Sequence, residues 1–577
     1  MSESPRKRVV YVGIDGGSWN LIAPMVEDGL LPNLGAAIKG GVASYLTSTV
    51  PVNSSVAWAS FMTGTRPGKH GVFFFREQRW ESHHRPVISF ESIKAPTVFR
   101  IASEHGKKVV VLYFPLTYPV EKVNGVMLGG LLTPDRDSDF IHPPEMREEL
   151  RRAVGDVPSD NEAEKIFHSS GDFKAAEASI YHVVEQTTRI AEHLLEAEGP
   201  DLLAIVYRGV DLMSHQAWCF QDPEWAAKNP GPAASGSLLV RKVYQAVDAG
   251  IGRVRARAKA LEKPGEQTVF VCSSDHGFGP ITWRFYLNKW LVDNGYLVLK
   301  RGNALGRFKM WTSRKLQGAM RRAGLQSWWS ARGRQFTVSV EATIQDMVDW
   351  SKTRAYSAVS GGEDIVLINL KGRNPQGVVE PGAEYEELRD EIVRKLAQVR
   401  ADDGTQIYPD VFKREELWGG PQLYRAPDIQ ALPFESSVLP AAAPVHARLV
   451  EPVEDGRPAM HRIQGMLIAE GPGLQAGVRI SDPFKTDPRD PALLDERHPH
   501  VWDMGPTLLH LLGLPVEDYM DGRVLEELFT EERRRAEAVQ VRSGWFVPEA
   551  GAEHDATLDA ESQAKLMQTM QALGYME

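Results

Sequence analysis

The octapeptide SSDHGFGP, residues 273–280, follows the apolar run VFVC at residues 269–272, which reads as a buried strand. A strand that leaves a core on Asp275 and His276, side by side, needs a partner for each, because burying either group unpaired is costly. Two arrangements would supply one. In the first, Asp275 accepts backbone amides in a turn around Gly277 and Gly279 while His276 faces solvent. In the second, a metal ion compensates both, and the rest of the chain must decide between them.

Outward from this point, RVVYVGID, KKVVVLYF, DLLAIVYR and QTVFVCSSD read as strands, and residues 177–198 read as an amphipathic helix between them. This alternation predicts an α/β fold with a mostly parallel central sheet flanked by helices on both faces. In such sheets reactive groups gather at the carboxyl ends of strands. Asp15 and Asp275 follow their runs directly, and Asp211 follows after a few residues.

At 577 residues the chain has room for roughly two to four domains. A formal charge of -10 argues against a nucleic-acid binder acting through its overall field, so no specific nucleic-acid binding is expected. Two cysteines, Cys219 and Cys272, make no disulfide framework. MSESPRKR runs into the first strand without a signal-peptide pattern, and no run of about eighteen apolar residues occurs, so a cytoplasmic protein is expected.

Residues 1–300 read as the first part of a catalytic core, 301–420 as an inserted cap, 421–535 as the second part of the core, and 536–577 as a C-terminal helix and tail. From Lys300 to Val340 the chain carries basic residues, among them Arg314, Lys315, Arg321 and Arg322, with Trp311, Trp328 and Trp329 and no acid. Three readings fit that block: attraction of an anionic substrate near the site mouth, contact with an anionic membrane surface, or a solvated helical face.

In VDLMSHQAW, residues 210–218, Asp211 and His215 are four apart, which on a helix puts both on one face. They can share one ion, or form a solvated acid–imidazole pair. His461 precedes the apolar run MLIA, and Gly16 and Gly17 follow Asp15. Ser54 and Ser55 precede the helical stretch VAWASFM. A serine there serves as an N-cap, or as a nucleophile where the helix dipole favours developing negative charge; adjacent serines can divide the two roles.

In this order the features resemble the alkaline phosphatase superfamily, specifically its type I phosphodiesterase/nucleotide pyrophosphatase branch and related bacterial phosphohydrolase/phosphomutase-like proteins. The matching residues are strand-Asp-Gly at Asp15, a Ser/Thr segment ending T-G-x-x-P-x-x-H-G from Thr63 to Gly71, and D-x-x-x-H at Asp211 and His215. They continue with S-D-H-G from Ser274 to Gly277 and a late His461 before Gly471-Pro472-Gly473. LPNL at 31–34 and PTLLHLLGLP at 506–515 add to the match.

The resemblance implies two divalent metal sites. Asp211, His215 and His461 would hold one ion; Asp15, Asp275, His276 and the oxygen of Ser54 would hold the other. Nitrogen and hard oxygen donors without thiolate suit Zn²⁺ and permit Mn²⁺. Ser54 would be the nucleophile, forming a phosphoserine that water hydrolyses, with Ser55 beginning the helix as its cap.

Some positions depart from that pattern. Nucleotide-cleaving members carry an asparagine where this chain has Ala57, so a phosphate oxygen needs another donor. Arg208 is a candidate, its alternative being a solvated strand-end charge. Val56 and Trp58 stand at the Pro and Arg positions of the sulfatase pattern, which disfavours a sulfatase. His70 reads as structural; His83, His84 and His510 have no partner motif. Phe73, Phe74 and Phe75 would wall a pocket or pack a core.

The expected function is therefore a two-metal phosphohydrolase acting on a small phosphate ester or nucleotide-like substrate, at a phosphodiester or pyrophosphate bond. A phosphomutase or phosphotransferase on the same scaffold, and a non-catalytic metal-dependent binding protein, are the alternatives.

Overall fold

The structure is a computed structural model and describes residues 6–82, 85–162, 173–221, 227, 238–300, 345–357, 363–433, 437–441, 443–453, 459–544 and 558–572. The basic block from Arg301 to Val340, with its three tryptophans, and His83 and His84 lie outside these residues.

The central sheet contains β1 (Arg6–Ile14), β2 (Val42–Thr47), β3 (Val109–Phe114), β4 (Gly125–Gly129), β5 (Ile141–His142), β6 (Leu202–Tyr207) and β7 (Glu266–Ser273). Strands Gln464–Glu470 and Val478–Arg479 complete it. The order across the sheet is Val478–Arg479, β2, Gln464–Glu470, β7, β1, β6, β3, β4, β5. β7, β1, β6, β3 and β4 run parallel, while Gln464–Glu470 is antiparallel to both β2 and β7. This is the mostly parallel α/β sheet expected from the strand–helix alternation. β1, β3 and β6 are near-continuous apolar runs because helices cover both faces of the sheet, leaving no solvent face for polar residues.

Helix Phe173–Ala197, the one expected at 177–198, packs on helix Leu239–Ala260. The second buries Val243, Val247, Ile251 and Val254 along one stripe. Among the described residues no helix is long and apolar enough to cross a membrane.

A second apolar core contains Phe285, Leu287, Trp290, Ile365, Leu367, Tyr408, Trp418, Ile429 and Val438. Its four-stranded antiparallel sheet has the order Ala355–Tyr356, Ile365–Ile368, Ile429–Leu432, Asp410–Lys413. The aromatic run at 73–75 is buried: Phe73 and Phe74 enter the second core, where they also line a small cavity with Arg76, Arg85 and Ile365, and Phe75 enters the first. Three consecutive rings thus fasten the two cores together.

Candidate active site

The order β7, β1, β6 explains how three aspartates far apart in sequence meet. Ile14 is level with Tyr207 and Gly13 with Ser273, so the three strands end together at their carboxyl edge. Asp15 leaves β1, Asp275 leaves β7, and Asp211 lies in the first turn of helix Gly209–Ala217, which follows β6. All three are at most 2% exposed. Gly16 adopts φ 69°, in the left-handed region, and its N–H donates to Asp275 Oδ1 at 3.1 Å. The acid at the end of β7 is therefore pinned by the turn after β1.

Asp211 and His215 sit on one helical face as their spacing predicts, and His461, on the short strand Ala459–Arg462, completes a triangle with them. The two Nε2 atoms of His215 and His461 are 3.1 Å apart, and Asp211 Oδ1 lies 3.4 Å from the first and 3.5 Å from the second. His276 Nε2 is 3.2 Å from Asp275 Oδ2 and 3.9 Å from Asp15 Oδ1. Donor atoms of Asp15, Asp275 and His276 fall within 4.8 Å of one another, as do those of Asp211, His276 and His461, so His276 stands within reach of both groups. His276 is fully buried, which removes the arrangement in which it faces solvent.

Each histidine makes the same outward bond. His276 Nδ1 lies 3.0 Å from Gly277 O, His215 Nδ1 3.2 Å from Ala459 O, and His461 Nδ1 3.2 Å from Val52 O. A carbonyl can only accept, so each ring donates from Nδ1 and turns an Nε2 lone pair inward, the tautomer a metal ligand requires. Two such lone pairs 3.1 Å apart, on His215 and His461, repel unless a cation lies beside them.

The carboxylates repeat the pattern. Asp15 Oδ2 accepts from Trp58 Nε1 at 3.2 Å. Asp15 Oδ1, Asp211 Oδ1 and Asp275 Oδ2 are buried without a hydrogen-bond partner. Burial, then the neighbouring Asp275 and Asp211, push the Asp15 carboxyl well above its ordinary value. Burial, with Asp211 adding to it, raises Asp275 to about 8. Asp211 is desolvated to the same degree, and only a proton on His215 or His461 facing Oδ1 would hold it well below the ordinary carboxylate range; with both rings turning lone pairs inward, that compensation has to come from a cation. Burial and the His461 ring, stacked at 3.7 Å, hold His276 well below the usual imidazole value. Orphaned carboxylate oxygens and inward lone pairs together make a donor set short of positive charge, and divalent cations fit it.

Ser54 opens helix Ser54–Thr63, and its Oγ lies 3.0 Å from His276 Nε2. Ser55 is not the cap. Asn53 is: its Oδ1 accepts from Ser55 N at 3.0 Å and from Ser55 Oγ at 2.6 Å. The sequence carries the signal, since asparagine leads the N-cap preferences, but the serine pair draws the reading one residue too far.

Arg208 is also displaced from expectation. It is 5% exposed rather than solvated, and its guanidinium donates to Asn161 Oδ1 at 3.0 Å, with Asp160 Oδ2 at 3.5 Å. His70 is structural as expected: its Nδ1 accepts from Val72 N at 3.2 Å and its Nε2 meets Ser60 Oγ at 2.9 Å. His510 packs edge-on against Phe529, on no ligand cluster. Trp58 holds a partner that sequence reading missed, because its bond to Asp15 spans forty-three positions.

Solved structures share this architecture. Phosphonoacetate hydrolase from Sinorhizobium meliloti 1021, with phosphonoformate bound, matches at a TM-score of 0.51 and 13% identity, over 88% of this chain and 96% of that one. A substituted variant of the alkaline phosphatase PafA matches at a TM-score of 0.52 and 13% identity, over 92% of this chain and 100% of its own. At such identity the likeness is one of fold. A comparison with curated proteins finds none that matches. Residues 9–443 match the type I phosphodiesterase/nucleotide pyrophosphatase family, a span that takes in every residue of the cluster except His461. The chain belongs to the type I phosphodiesterase/nucleotide pyrophosphatase family, and with it to the alkaline phosphatase superfamily of hydrolytic enzymes.

Proposed function

We propose that this chain is a metal-dependent phosphoric ester hydrolase in which Ser54 attacks phosphorus and carries the phosphoryl group until water removes it. Its substrate would be a small phosphodiester or pyrophosphate. The observation that carries this reading is a buried cluster of three orphaned carboxylate oxygens and three imidazoles, with Ser54 Oγ 3.0 Å from Nε2 of His276, the ring within reach of both groups.

Asp211, His215 and His461 would hold one divalent ion, and Asp15, Asp275, His276 and Ser54 Oγ the other, with Zn²⁺ favoured by the mixed nitrogen and oxygen donors and Mn²⁺ compatible. Bound ions would make the serine oxygen more nucleophilic and neutralise charge on the leaving oxygen. The chain's own residues do the rest. The N-terminus of helix Ser54–Thr63 favours the negative charge that develops on Oγ and on the phosphoryl group. The Asn53 cap holds the first turn, so Oγ starts from one position. The backbone carbonyls of Gly277, Ala459 and Val52 each hold an Nδ1–H and so aim the three Nε2 atoms inward. The Trp58 indole turns Asp15 so that Oδ1 faces His276.

The test is a screen of the purified, metal-loaded protein, with Ser54→Ala in parallel, against aryl phosphomonoesters, phosphodiesters, dinucleotides and sulfate esters. Diesters or dinucleotides turned over by wild type and not by Ser54→Ala are expected. Sulfate esters as the best substrates would overturn the assignment.

A further inference from the structure

The four residues that lead into the nucleophile have every carbonyl engaged. Pro51 O accepts from Thr49 Oγ1 at 2.8 Å, and Val52 O accepts from His461 Nδ1 at 3.2 Å. Asn53 O accepts from Val56 N at 3.1 Å and Ala57 N at 2.9 Å. The remaining one, Val50 O, accepts from Trp418 Nε1 at 3.0 Å, and Trp418 belongs to the second core. The loop that presents Ser54 is thus held on one side by a residue of the proposed metal cluster and on the other by a residue far outside it.

Trp418 is itself fixed. It is 3% exposed, and its ring meets the edge of Phe73 at 5.0 Å. It closes the short helix Arg414–Leu417, which Glu415 ties to Arg389 at 2.7 Å. The next residues are pressed onto the chain beyond the nucleophile helix: Gln422 N donates to Gly68 O at 2.8 Å, and a Cβ on Gly68 would sit 2.2 Å from Gly419 O. Only glycine permits that approach. Trp80 Nε1 donates to Tyr424 O at 2.7 Å and extends the seam.

We propose that Trp418 is a positioning residue for Ser54. Its indole N–H fixes the Val50 carbonyl, and through the short link from Val50 to Asn53 it sets where Oγ stands relative to the ligand cluster. Docking of the second core and placement of the nucleophile are then one event, with the indole N–H as the coupling. The inference rests on Ser54 being the nucleophile.

The experiment uses the full-length, metal-loaded protein with the indole nitrogen of Trp418 replaced by sulfur through incorporation of benzothienylalanine, and Trp418→Phe as a second variant. Quenched-flow with an aryl phosphodiester reads the rate of phosphoserine formation, alongside KM and bound metal. Loss of one hydrogen bond predicts phosphoserine formation slowed by about tenfold. KM and metal content stay at wild-type values. Trp418→Phe, which also lacks the N–H, shows the same slowing, and Phe73→Leu, which loosens the ring packing but keeps the N–H, is slowed less than either. An unchanged phosphorylation rate in the sulfur variant overturns the inference while leaving Ser54 as nucleophile. Loss of metal in step with rate also overturns it, because Trp418 would then act on the ligand cluster. Full activity in Ser54→Ala removes the underlying reading and this inference with it.

Discussion

Trp58→Phe isolates the support behind a single proposed ligand. The substitution removes the N–H that donates to Asp15 Oδ2 at 3.2 Å and keeps an aromatic ring against Phe61 and Phe114, whose centroids lie 5.5 and 5.2 Å from that of Trp58. A hydrogen bond to a charged group contributes about 1.5–3 kcal/mol, and outer-shell partners of metal ligands typically account for about 10–100-fold in metal affinity. With an ion bound as proposed, Asp15 would be a carboxylate and the bond would have that full value, so affinity for an ion at the proposed site of Asp15, Asp275 and His276 should fall by about 10–100-fold. Competition with a chromophoric chelator for Zn²⁺ or Mn²⁺ measures it, and thermal unfolding of the metal-free protein confirms an intact fold with a midpoint lowered by roughly a few degrees. Wild-type affinity in a folded Trp58→Phe protein would refute the reasoning, since Asp15 would then be oriented by something other than the indole.

Further outcomes are expected. Ser54→Ala should keep metal and fold yet lose nearly all turnover, whereas His276→Ala or Asp211→Ala should lose metal and activity together, as read by elemental analysis beside an ester assay. Asn53→Ala should cost about 1 kcal/mol in urea unfolding, because it removes the acceptor of both Ser55 bonds, and Ser55→Ala should cost less. Burial raises the Asp364 carboxyl from 3.8 to about 7, while the Tyr408 hydroxyl donates to it. Its stabilising contribution is complete below pH 3.8 and declines as pH rises towards about 7. Asp364→Asn should therefore match wild type near pH 4 and exceed it at pH 8 by up to a few kcal/mol, because each tenfold difference in proton affinity between folded and unfolded chain amounts to about 1.4 kcal/mol; unfolding midpoints measured across pH check it.

β1, β3, β6 and β7 were legible because each is an apolar, β-branched run buried by helices on both faces, and the acids after β1 and β7 stand out against those runs; β2, β4, β5 and Val478–Arg479 carry no such signal. Asp211 and His215 were legible as a pair because helical spacing is local. What brings the two sets together is the strand order β7, β1, β6, which no local pattern encodes; the family resemblance had to supply it. The errors have the same origin. Asn53 competes with two serines for one cap, and only the three-dimensional turn shows which oxygen meets the free amide. A solvated charge stayed open as one reading of Arg208 because Asp160 and Asn161, which cover it, lie nearly fifty residues earlier in the chain. Trp58 marked only a mismatch to another family's motif until its indole was seen against Asp15.

The position of strand Gln464–Glu470 between β2 and β7 also sets a timetable for synthesis. β2 leaves the ribosome early, yet the neighbour that joins it to the sheet is made more than four hundred residues later. At about 5–20 residues per second that interval lasts from some tens of seconds to more than a minute. β2 keeps its edge open throughout that interval, and β7, made about midway through it, keeps open the other edge that Gln464–Glu470 will fill; open edges are sites of mispairing between nascent chains. His461 arrives with the same segment, so the last proposed ligand and the closing strand come together. An unfinished chain has neither a sealed sheet nor a complete cluster, and expression conditions that slow translation or lack holdase chaperones should lower the yield of soluble protein before they alter the activity of each finished molecule.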